Sequence, residues 1–256
     1  MDRAELSRIA HTDHPIAAPV AVPEVQRLLA RLDPTASGRV VDLGCGAGEW
    51  LLELLAARPD LTAVGVDTAL HPEREERARA RGVADRVTWV EADAAQWGAE
   101  HPEAFDAVLC VGASHAFGGL LGTLPALTRH LRPGGGLLLG DAIWERPPSA
   151  AAQEALGARP GDFPTLSQLV ATIEEHGFEL GYAHTSSAPE WDDYEWSWTG
   201  SLVAWAMDDS PRAGGRAAED REQALSTART HRREWIEGYR GELGFVTAVL
   251  HDTRGR

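Results

Sequence analysis

Three glycines follow an acid at alternate positions in the stretch RVVDLGCGAGEW, residues 39–50. Glycine inside a helix or strand costs about 0.5–1 kcal/mol relative to alanine. Gly44, Gly46 and Gly48 therefore indicate a place where the backbone turns tightly or lies close to another molecule. The apolar residues before them predict a strand and those after them a helix. In an open α/β sheet, ligands bind at such a carboxyl strand end.

Two further acids end the next two predicted strands. Asp67 closes LTAVGVD (61–67), where a carboxylate could accept hydrogen bonds from two neighbouring ribose hydroxyls. Asp93 closes VTWVEAD (87–93), where it could bind an adenine amino group or ring edge. The three strand ends together predict a nucleoside-binding edge. Two plainer interpretations remain open. The glycines could form a purely structural turn, and Asp67 could cap a helix.

Apolar runs alternate with helix-compatible stretches along most of the chain. The predicted strands are 39–44, 61–67, 87–93, 105–112, 135–143, 178–187 and 242–251. The predicted helices include Glu49–Arg58, the charged stretch 72–82 and PTLSQLVATIEEHG at 164–177, and 208–220 reads as an exposed loop between two further helices. This alternation predicts a parallel sheet with helices on both faces. The last strand is expected beside the sixth, as an antiparallel edge strand.

Composition limits the classes of partner. The chain has 256 residues, 43% of them hydrophobic, which is enough for one large domain or one domain with an embellishment. Its formal net charge of −15 would repel phosphate backbones, so no nucleic-acid partner is expected. With no apolar run near the roughly 18 residues of a membrane span and no secretory signal, we expect a cytoplasmic protein without a membrane partner. Cys45 and Cys110 match no metal-ligand spacing and are expected as buried thiols, so no metal site is predicted.

The series of strand ends resembles the class I S-adenosylmethionine-dependent methyltransferases, and the flanking segments resemble a bacterial small-molecule-type subfamily. DLGCGAG is similar to the first motif of that family, Asp67 to its ribose-binding residue and EADAAQW (91–97) to its adenine-side motif. The segments 105–119 and 131–144 are similar to its fourth and fifth strand regions. The resemblance implies a Rossmann-like doubly wound α/β fold. Its seven-stranded sheet would be mostly parallel, with an antiparallel last strand and a helical insertion before it at about 188–240.

The same resemblance implies the domain organisation and the cofactor site. Residues 1–35 would form an N-terminal helical lid segment, and 36–256 the methyltransferase domain. The cofactor would be S-adenosyl-L-methionine, leaving as S-adenosyl-L-homocysteine. Trp97 would either flank the adenine or belong to the core. The implied cofactor-binding residues are Asp42, Gly44, Cys45, Gly46, Gly48, Asp67, Asp93, Ala94 and Gly112.

The proton chemistry of methyl transfer is assigned to His115. It follows the fourth predicted strand within VGASHAFGG, where methyl donor and acceptor would meet. A neutral imidazole could take a proton from an amine, a hydroxyl or an activated carbon. Alternatively, His115 orients the acceptor or is a hydrogen-bonded loop residue.

Acceptor binding is predicted to involve the N-terminal segment and the tryptophan-rich stretch WDDYEWSW (191–198). Aromatic and acidic side chains there could wall a pocket for a cationic or amine acceptor. In the plainer interpretation this is an amphipathic helix whose aromatics cover the sheet while its acids face water. The predicted substrate-binding residues are His14, Trp144, Trp191 and Tyr194, and Asp192, Glu195, Trp196 and Trp198 are further candidates.

The acceptor itself is expected to be a small organic molecule, with nitrogen, oxygen and carbon all open as the accepting atom. A nicotinamide dehydrogenase is disfavoured, because its GxGxxG fingerprint is replaced by GCGAG. A protein that binds S-adenosylmethionine without methylating, or that uses it in a pericyclic-type reaction, remains an alternative. The oligomeric state is open, and the helical insertion could form a homodimer surface.

Overall fold

The computed structural model describes residues 1–32, 38–99, 105–210 and 215–253. Within these ranges, seven strands form a single sheet in the order β3-β2-β1-β4-β5-β7-β6. The strands are β1 (Arg39–Leu43), β2 (Thr62–Asp67), β3 (Val87–Glu91), β4 (Phe105–Val111), β5 (Leu131–Trp144), β6 (Phe178–Thr185) and β7 (Leu243–Asp252).

The sheet is parallel from β3 through β5, as the sequence predicts. β7 is antiparallel to both β5 and β6. The expectation that this antiparallel strand lies at the edge is wrong, because β7 is inserted between β5 and β6. The burial of the two strands gives the reason: nine of the ten β7 residues are buried, whereas β6 has buried, half-buried and exposed positions and forms the edge.

Helices cover both faces of the sheet. They are α1 (Arg3–Ala10), α2 (Val22–Leu32), α3 (Glu49–Ala57), α4 (Arg74–Ala80), α5 (Ala94–Ala99), α6 (Leu120–Thr128), α7 (Ala150–Leu156), α8 (Leu166–Glu175), α9 (Ala188–Met207) and α10 (Ala218–Arg233). A 3₁₀ turn covers Ser114–Phe117 and a π-helical turn covers Glu234–Tyr239. Successive residues of β1, Val40 and Val41, belong to two separate apolar clusters, as expected for a strand covered on both sides.

The helices before β7 begin at a well-defined cap. Ser187 caps α9, and Glu190 completes the capping box. The Glu190 carboxylate also accepts a 3.1 Å hydrogen bond from the backbone N–H of Ala21, which ties the N-terminal segment to α9. α1 packs on α9 and α10 in a small apolar cluster that includes Ile9 and Leu202.

The division into residues 1–35 and 36–256 stays a prediction from the sequence. Helical residues fill most of the predicted insertion at 188–240, but part of the predicted 208–220 loop, residues 211–214, lies outside the described residues. The predicted boundary between 1–35 and 36–256 also falls outside them. The lid assignment stays a prediction. In the described part of the chain, no helix has both the length and the apolar character needed to cross a membrane.

Candidate active site at the carboxyl edge of the sheet

The glycine loop between β1 and α3 has three left-handed backbone positions, with φ of +86° at Gly44, +52° at Gly46 and +81° at Gly48. The three glycines have different surroundings. A Cβ on Gly44 would overlap the Cβ of Ala113, and one on Gly48 would overlap the ring of Trp89. A Cβ on Gly46 would meet no atom of the described ranges within 4 Å. Packing therefore accounts for two of the glycines, while Gly46 borders open space.

Asp67 holds this loop from the end of β2. Its Oδ2 accepts a 2.8 Å hydrogen bond from the N–H of Gly46, and its Oδ1 accepts a 3.0 Å bond from the N–H of Ala69. β1 and β2 are paired in register, so the loop and the acid lie at neighbouring strand ends. The carboxylate fixes the open glycine position and is itself only half-buried.

Asp42 on β1 and Cys45 in the loop itself are buried, with 2% and 6% exposure. Burial, and secondarily the charge of Asp67, raises the pKa of Asp42 to about 8. Asp42 therefore keeps its proton at neutral pH. Burial likewise raises the pKa of the Cys45 thiol, and Cys110 is fully buried with its pKa raised for the same reason. Both cysteines are buried thiols, as predicted.

Asp93 lies at the third strand end and caps α5. Its Oδ1 accepts a 2.9 Å hydrogen bond from the N–H of Gln96, while the next residue, Ala94, is buried. Trp97 packs on Phe105, with ring centroids 6.2 Å apart, as part of one core cluster. Gly112 follows β4 with φ of +71°, and a Cβ there would also meet open space. Asp93, Ala94 and Gly112 lie at the same edge as the glycine loop, whereas Trp97 packs on the first residue of β4, at the opposite edge.

His115 is exposed on the 3₁₀ turn that follows Gly112. The preceding residue, Ser114, donates a 3.0 Å hydrogen bond from Oγ to Oδ1 of Asp141 on β5. Asp141 is 8% exposed and its pKa is raised, chiefly by burial, while hydrogen bonds and the charge of His115 act in the opposite direction. Sequence reasoning missed Asp141. The signal was an acid inside the apolar run LLLGDAI.

A cavity of about 120 Å³ lies farther along this edge, beyond the ends of β5 and β6. Trp191 and Tyr239 line it, with ring centroids 6.5 Å apart. Trp144 is not a lining residue; it is 3% exposed and packs edge-on against Phe163 at 5.3 Å. Sequence reasoning also missed Ser186, a buried lining residue at the end of β6.

His14 and Tyr194 meet beside this region without being lining residues. The His14 ring contacts the Tyr194 ring edge-on, with centroids 5.4 Å apart, and the Tyr194 hydroxyl lies 3.0 Å from Nε2 of His11. Burial lowers the pKa of His14 and raises that of Tyr194. The predicted substrate residues Trp191, Tyr194 and His14 are thus brought together, and Trp144 lies in the core cluster that Trp191 packs against.

The expectation that the acids of WDDYEWSW face water is wrong for Glu195, which is buried. It is 2% exposed. Its carboxylate accepts a 2.7 Å hydrogen bond from the Tyr239 hydroxyl and lies 2.8 Å from Nε2 of His231. The His231 ring stacks on Trp198 at 3.9 Å. Asp192 has an outer position and pairs with Arg240, while Trp196 is 50% exposed.

Comparison with known proteins identifies the family. A methyltransferase-domain family model matches residues 40–135. YjhP, an uncharacterized protein of Escherichia coli K12, is 31% identical over 199 residues, 76% of this chain and 79% of that protein. A trans-aconitate 2-methyltransferase of Azoarcus sp. is 29% identical over 191 residues, 70% of each chain. A crystal structure of a methyltransferase from Geobacter sulfurreducens in complex with S-adenosyl-L-homocysteine has a TM-score of 0.81 at 26% identity and covers 98% of both chains. The chain belongs to the class I S-adenosylmethionine-dependent methyltransferases.

The methyltransferase uses S-adenosyl-L-methionine, and its glycine loop fits such a group. A nucleoside needs space against the backbone and a carboxylate for its ribose hydroxyls. Gly46 leaves that space, and Asp67 stands next to it with a half-buried carboxylate. Among the residues that the structure describes, no side chain lies within 4 Å of the position that a Gly46 Cβ would occupy.

Proposed function

We propose that the methyltransferase transfers a methyl group to a small organic acceptor at the carboxyl edge of its sheet. The cavity of about 120 Å³ beyond β5 and β6 carries the proposal, because its size suits a small molecule better than a polymer. The trans-aconitate 2-methyltransferase among the relatives, named for a small organic acid, supports the same acceptor class. The formal charge of −15 argues against a nucleic-acid acceptor.

In this proposal the glycine loop holds the cofactor. Gly46 and the neighbouring loop positions Gly44, Cys45 and Gly48 would offer backbone contacts, and Asp67 would bind the ribose. The protonated Asp42 would support the loop from below, without placing a second negative charge beside Asp67. The remaining predicted contacts are with the adenine side or the methyl-donor end, from Asp93, Ala94 and Gly112.

S-adenosyl-L-methionine supplies a methyl group that is already activated, so the protein needs mainly to align the acceptor and exclude water. His115 would accept the proton that the acceptor loses. Asp141 lies close enough for its charge state to respond to His115, and it holds the turn through Ser114. The same base could serve a nitrogen, oxygen or carbon acceptor.

The wall of the acceptor site is assigned to Trp191 and, less directly, to His14, Tyr194 and Trp144. Trp191 lines the cavity, whereas His14 and Tyr194 hold the N-terminal segment against α9. Trp144 would act from the core through Phe163. A cytoplasmic location, the absence of a membrane partner and a homodimer stay predictions from the sequence.

An acceptor screen tests the proposal. Purified protein is incubated with S-adenosyl-L-methionine and a panel of small amines, alcohols, acids and phenols, and both S-adenosyl-L-homocysteine and product mass are followed. We expect at least one compound to gain the mass of one methylene group in step with cofactor consumption. A compound that is converted without gain of mass would instead support the pericyclic-type alternative.

A further inference from the structure

The cavity beyond β5 and β6 is lined largely by apolar surface. Trp191, Trp235 and Tyr239 contribute aromatic rings, and Ala188 and Leu243 contribute aliphatic groups. Its volume of about 120 Å³ equals that of about four water molecules in the liquid. A group of about four or five non-hydrogen atoms would therefore fit inside, if it tolerates apolar surroundings.

Two of these rings are in edge-to-face contact. The planes of Trp191 and Tyr239 are inclined at 67°, with ring centroids 6.5 Å apart. Because both rings line the cavity, a group in the angle between their planes would lie against π faces. The face of an aromatic ring carries negative potential and attracts cations, and the tryptophan ring attracts them most strongly. The rings therefore favour a positively charged group over a neutral group of the same shape.

The fold already places one cation against this lining. The Arg240 guanidinium lies 5.8 Å from the centroid of the Trp235 ring, within the range of a cation–π contact. Its Nε and Nη2 also donate to the two carboxylate oxygens of Asp192, at 3.0 and 2.9 Å. Both residues line the cavity. Asp192 neutralises Arg240, so the pair adds no net charge to the lining.

Glu145 gives the lining its net negative charge. It is an exposed lining residue, and none of the described residues forms an ion pair with it. A second carboxylate, that of Glu195, accepts a 2.7 Å hydrogen bond at the hydroxyl end of the Tyr239 ring. Burial, and next the charge of Glu195, raise the pKa of Tyr239, so this phenol stays neutral. The charges around the cavity therefore favour a cation and disfavour a carboxylate.

The apolar surface restricts the kind of cation. A primary ammonium group carries three N–H donors, and each of them needs an acceptor when it leaves water. A methylated ammonium group has at most two donors and presents its methyl groups to the rings. The sequence already suggests a cationic acceptor from the acids of 191–198, but the unpaired carboxylate of the lining is Glu145.

We propose that this cavity anchors the methyl acceptor by a methylated ammonium group, held against the rings of Trp191 and Tyr239 with Glu145 as its counter-charge. The proposal rests on the proposed function, since it names the acceptor class of that site. An ammonium nitrogen has no lone pair with which to accept a methyl group, so the accepting atom lies elsewhere on the acceptor. Trp191 and Glu145 are then specificity-determining residues that select a cation at this position.

Three probes of similar shape test the charge preference. Choline carries a trimethylammonium group, 3,3-dimethyl-1-butanol has a neutral carbon in place of the nitrogen, and 3,3-dimethylbutanoate carries a carboxylate. Each is titrated into the full-length protein at constant ionic strength by ligand-observed NMR, with and without saturating S-adenosyl-L-homocysteine. We expect choline to bind at least about tenfold more tightly than the alcohol, and the carboxylate to bind most weakly.

Variants test the two specificity residues. Trp191→Leu is expected to weaken choline binding about tenfold and Glu145→Gln about threefold, because an exposed carboxylate is partly screened by water. Binding of the neutral alcohol should change by less than about twofold in Glu145→Gln. The controls are Trp205→Leu, a half-buried tryptophan of the same helix α9, and Glu154→Gln, an exposed glutamate of α7; neither residue lines the cavity. Both controls are expected to bind choline like the wild type.

Three binding results would overturn the proposal: absence of saturable choline binding, equal or tighter binding of the alcohol or the carboxylate, or unchanged choline binding in both cavity variants. Methylated products that all lack a cationic group would also overturn it, and would leave the proposed function intact. Failure of the proposed function has a different signature. An acceptor screen that yields no methylated product would count against small-molecule methylation, while the ranking of the three probes needs no turnover.

Discussion

His115 lies on a turn that a hydrogen bond joins to β5. Ser114 begins the turn and is hydrogen-bonded to Asp141, which lies on β5 next to Gly140, the residue whose carbonyl accepts from the N–H of Gly112. An exposed imidazole on a supported turn can exchange protons with solvent after each reaction cycle. This arrangement favours a base over a structural histidine, and the difference is measurable.

We predict that His115→Ala lowers turnover by about 10²–10⁴-fold, the usual scale of general-base catalysis, with nearly unchanged affinity for S-adenosyl-L-homocysteine. His115→Gln should restore little, since an amide takes no proton at neutral pH. Steady-state kinetics with an identified acceptor, together with calorimetry, measure both quantities. His176→Ala, which removes a ring bonded to the Thr172 carbonyl at the end of α8, is the control. Near-normal rates for the Gln variant would make His115 a positioning residue.

Asp42 gives a prediction about pH. Its pKa is raised by burial from 3.8 to about 8, so between these values the folded protein holds a proton that the unfolded chain releases. Raising the pH through this window therefore destabilises the fold. The free energy of unfolding of Asp42→Asn, relative to that of the wild type, should increase from about pH 4 to pH 8. Urea denaturation at several pH values measures this difference. The exposed Asp85→Asn serves as the control. If the free energies of unfolding of the wild type and of Asp42→Asn changed in parallel with pH, Asp42 would be ionised in the folded state.

At the scale of elements, α9 connects three parts of the molecule. Its first turn bonds the N-terminal segment through Glu190, and its middle buries Glu195 against Tyr239 in the π-helical turn and His231 in α10. A buried carboxylate is costly unless its lone pairs are satisfied. The three elements are therefore held in one arrangement around the cavity by a polar contact rather than by apolar packing alone.

Tyr239→Phe should destabilise the protein by about 1–3 kcal/mol, because it leaves one oxygen of a buried carboxylate without its hydroxyl partner. Thermal and chemical denaturation measure the loss. Tyr182→Phe, on the edge strand β6, is the control: it removes a hydroxyl that bonds only to the exposed side chain of Arg27 among the described residues, and should change stability by less than about 0.5 kcal/mol. Equal stabilities of the two variants would mean that Glu195 is satisfied without Tyr239.

At the scale of the whole molecule, local patterns predict most of the fold. The apolar runs and the turn residues between them predict the positions of all seven strands. The glycine loop, Asp67 and Asp93 are predicted from their places at the ends of these strands. The position of β7 between β5 and β6 was not predicted. It depends on which strand is buried between two others, and that burial involves residues distant in sequence. Asp141 and the buried state of Glu195 were missed for the same reason, because their partners are distant in sequence.

The central claim is that Gly46 borders the cofactor, and one calorimetric comparison tests it most directly. Gly46 and Gly82 have similar left-handed backbones, with φ of +52° and +68°, and a Cβ on either would meet open space. Gly82 follows α4 and precedes β3, so it lies at the opposite edge of the sheet. Gly46→Val and Gly82→Val should therefore incur a similar backbone strain of about 1–2 kcal/mol.

S-adenosyl-L-homocysteine is titrated into the wild type and both variants after their folding is checked. We predict that Gly46→Val weakens binding at least about a hundredfold while Gly82→Val binds like the wild type. Wild-type affinity in a folded Gly46→Val variant would contradict the account, because the loop would then be a structural turn with the cofactor elsewhere.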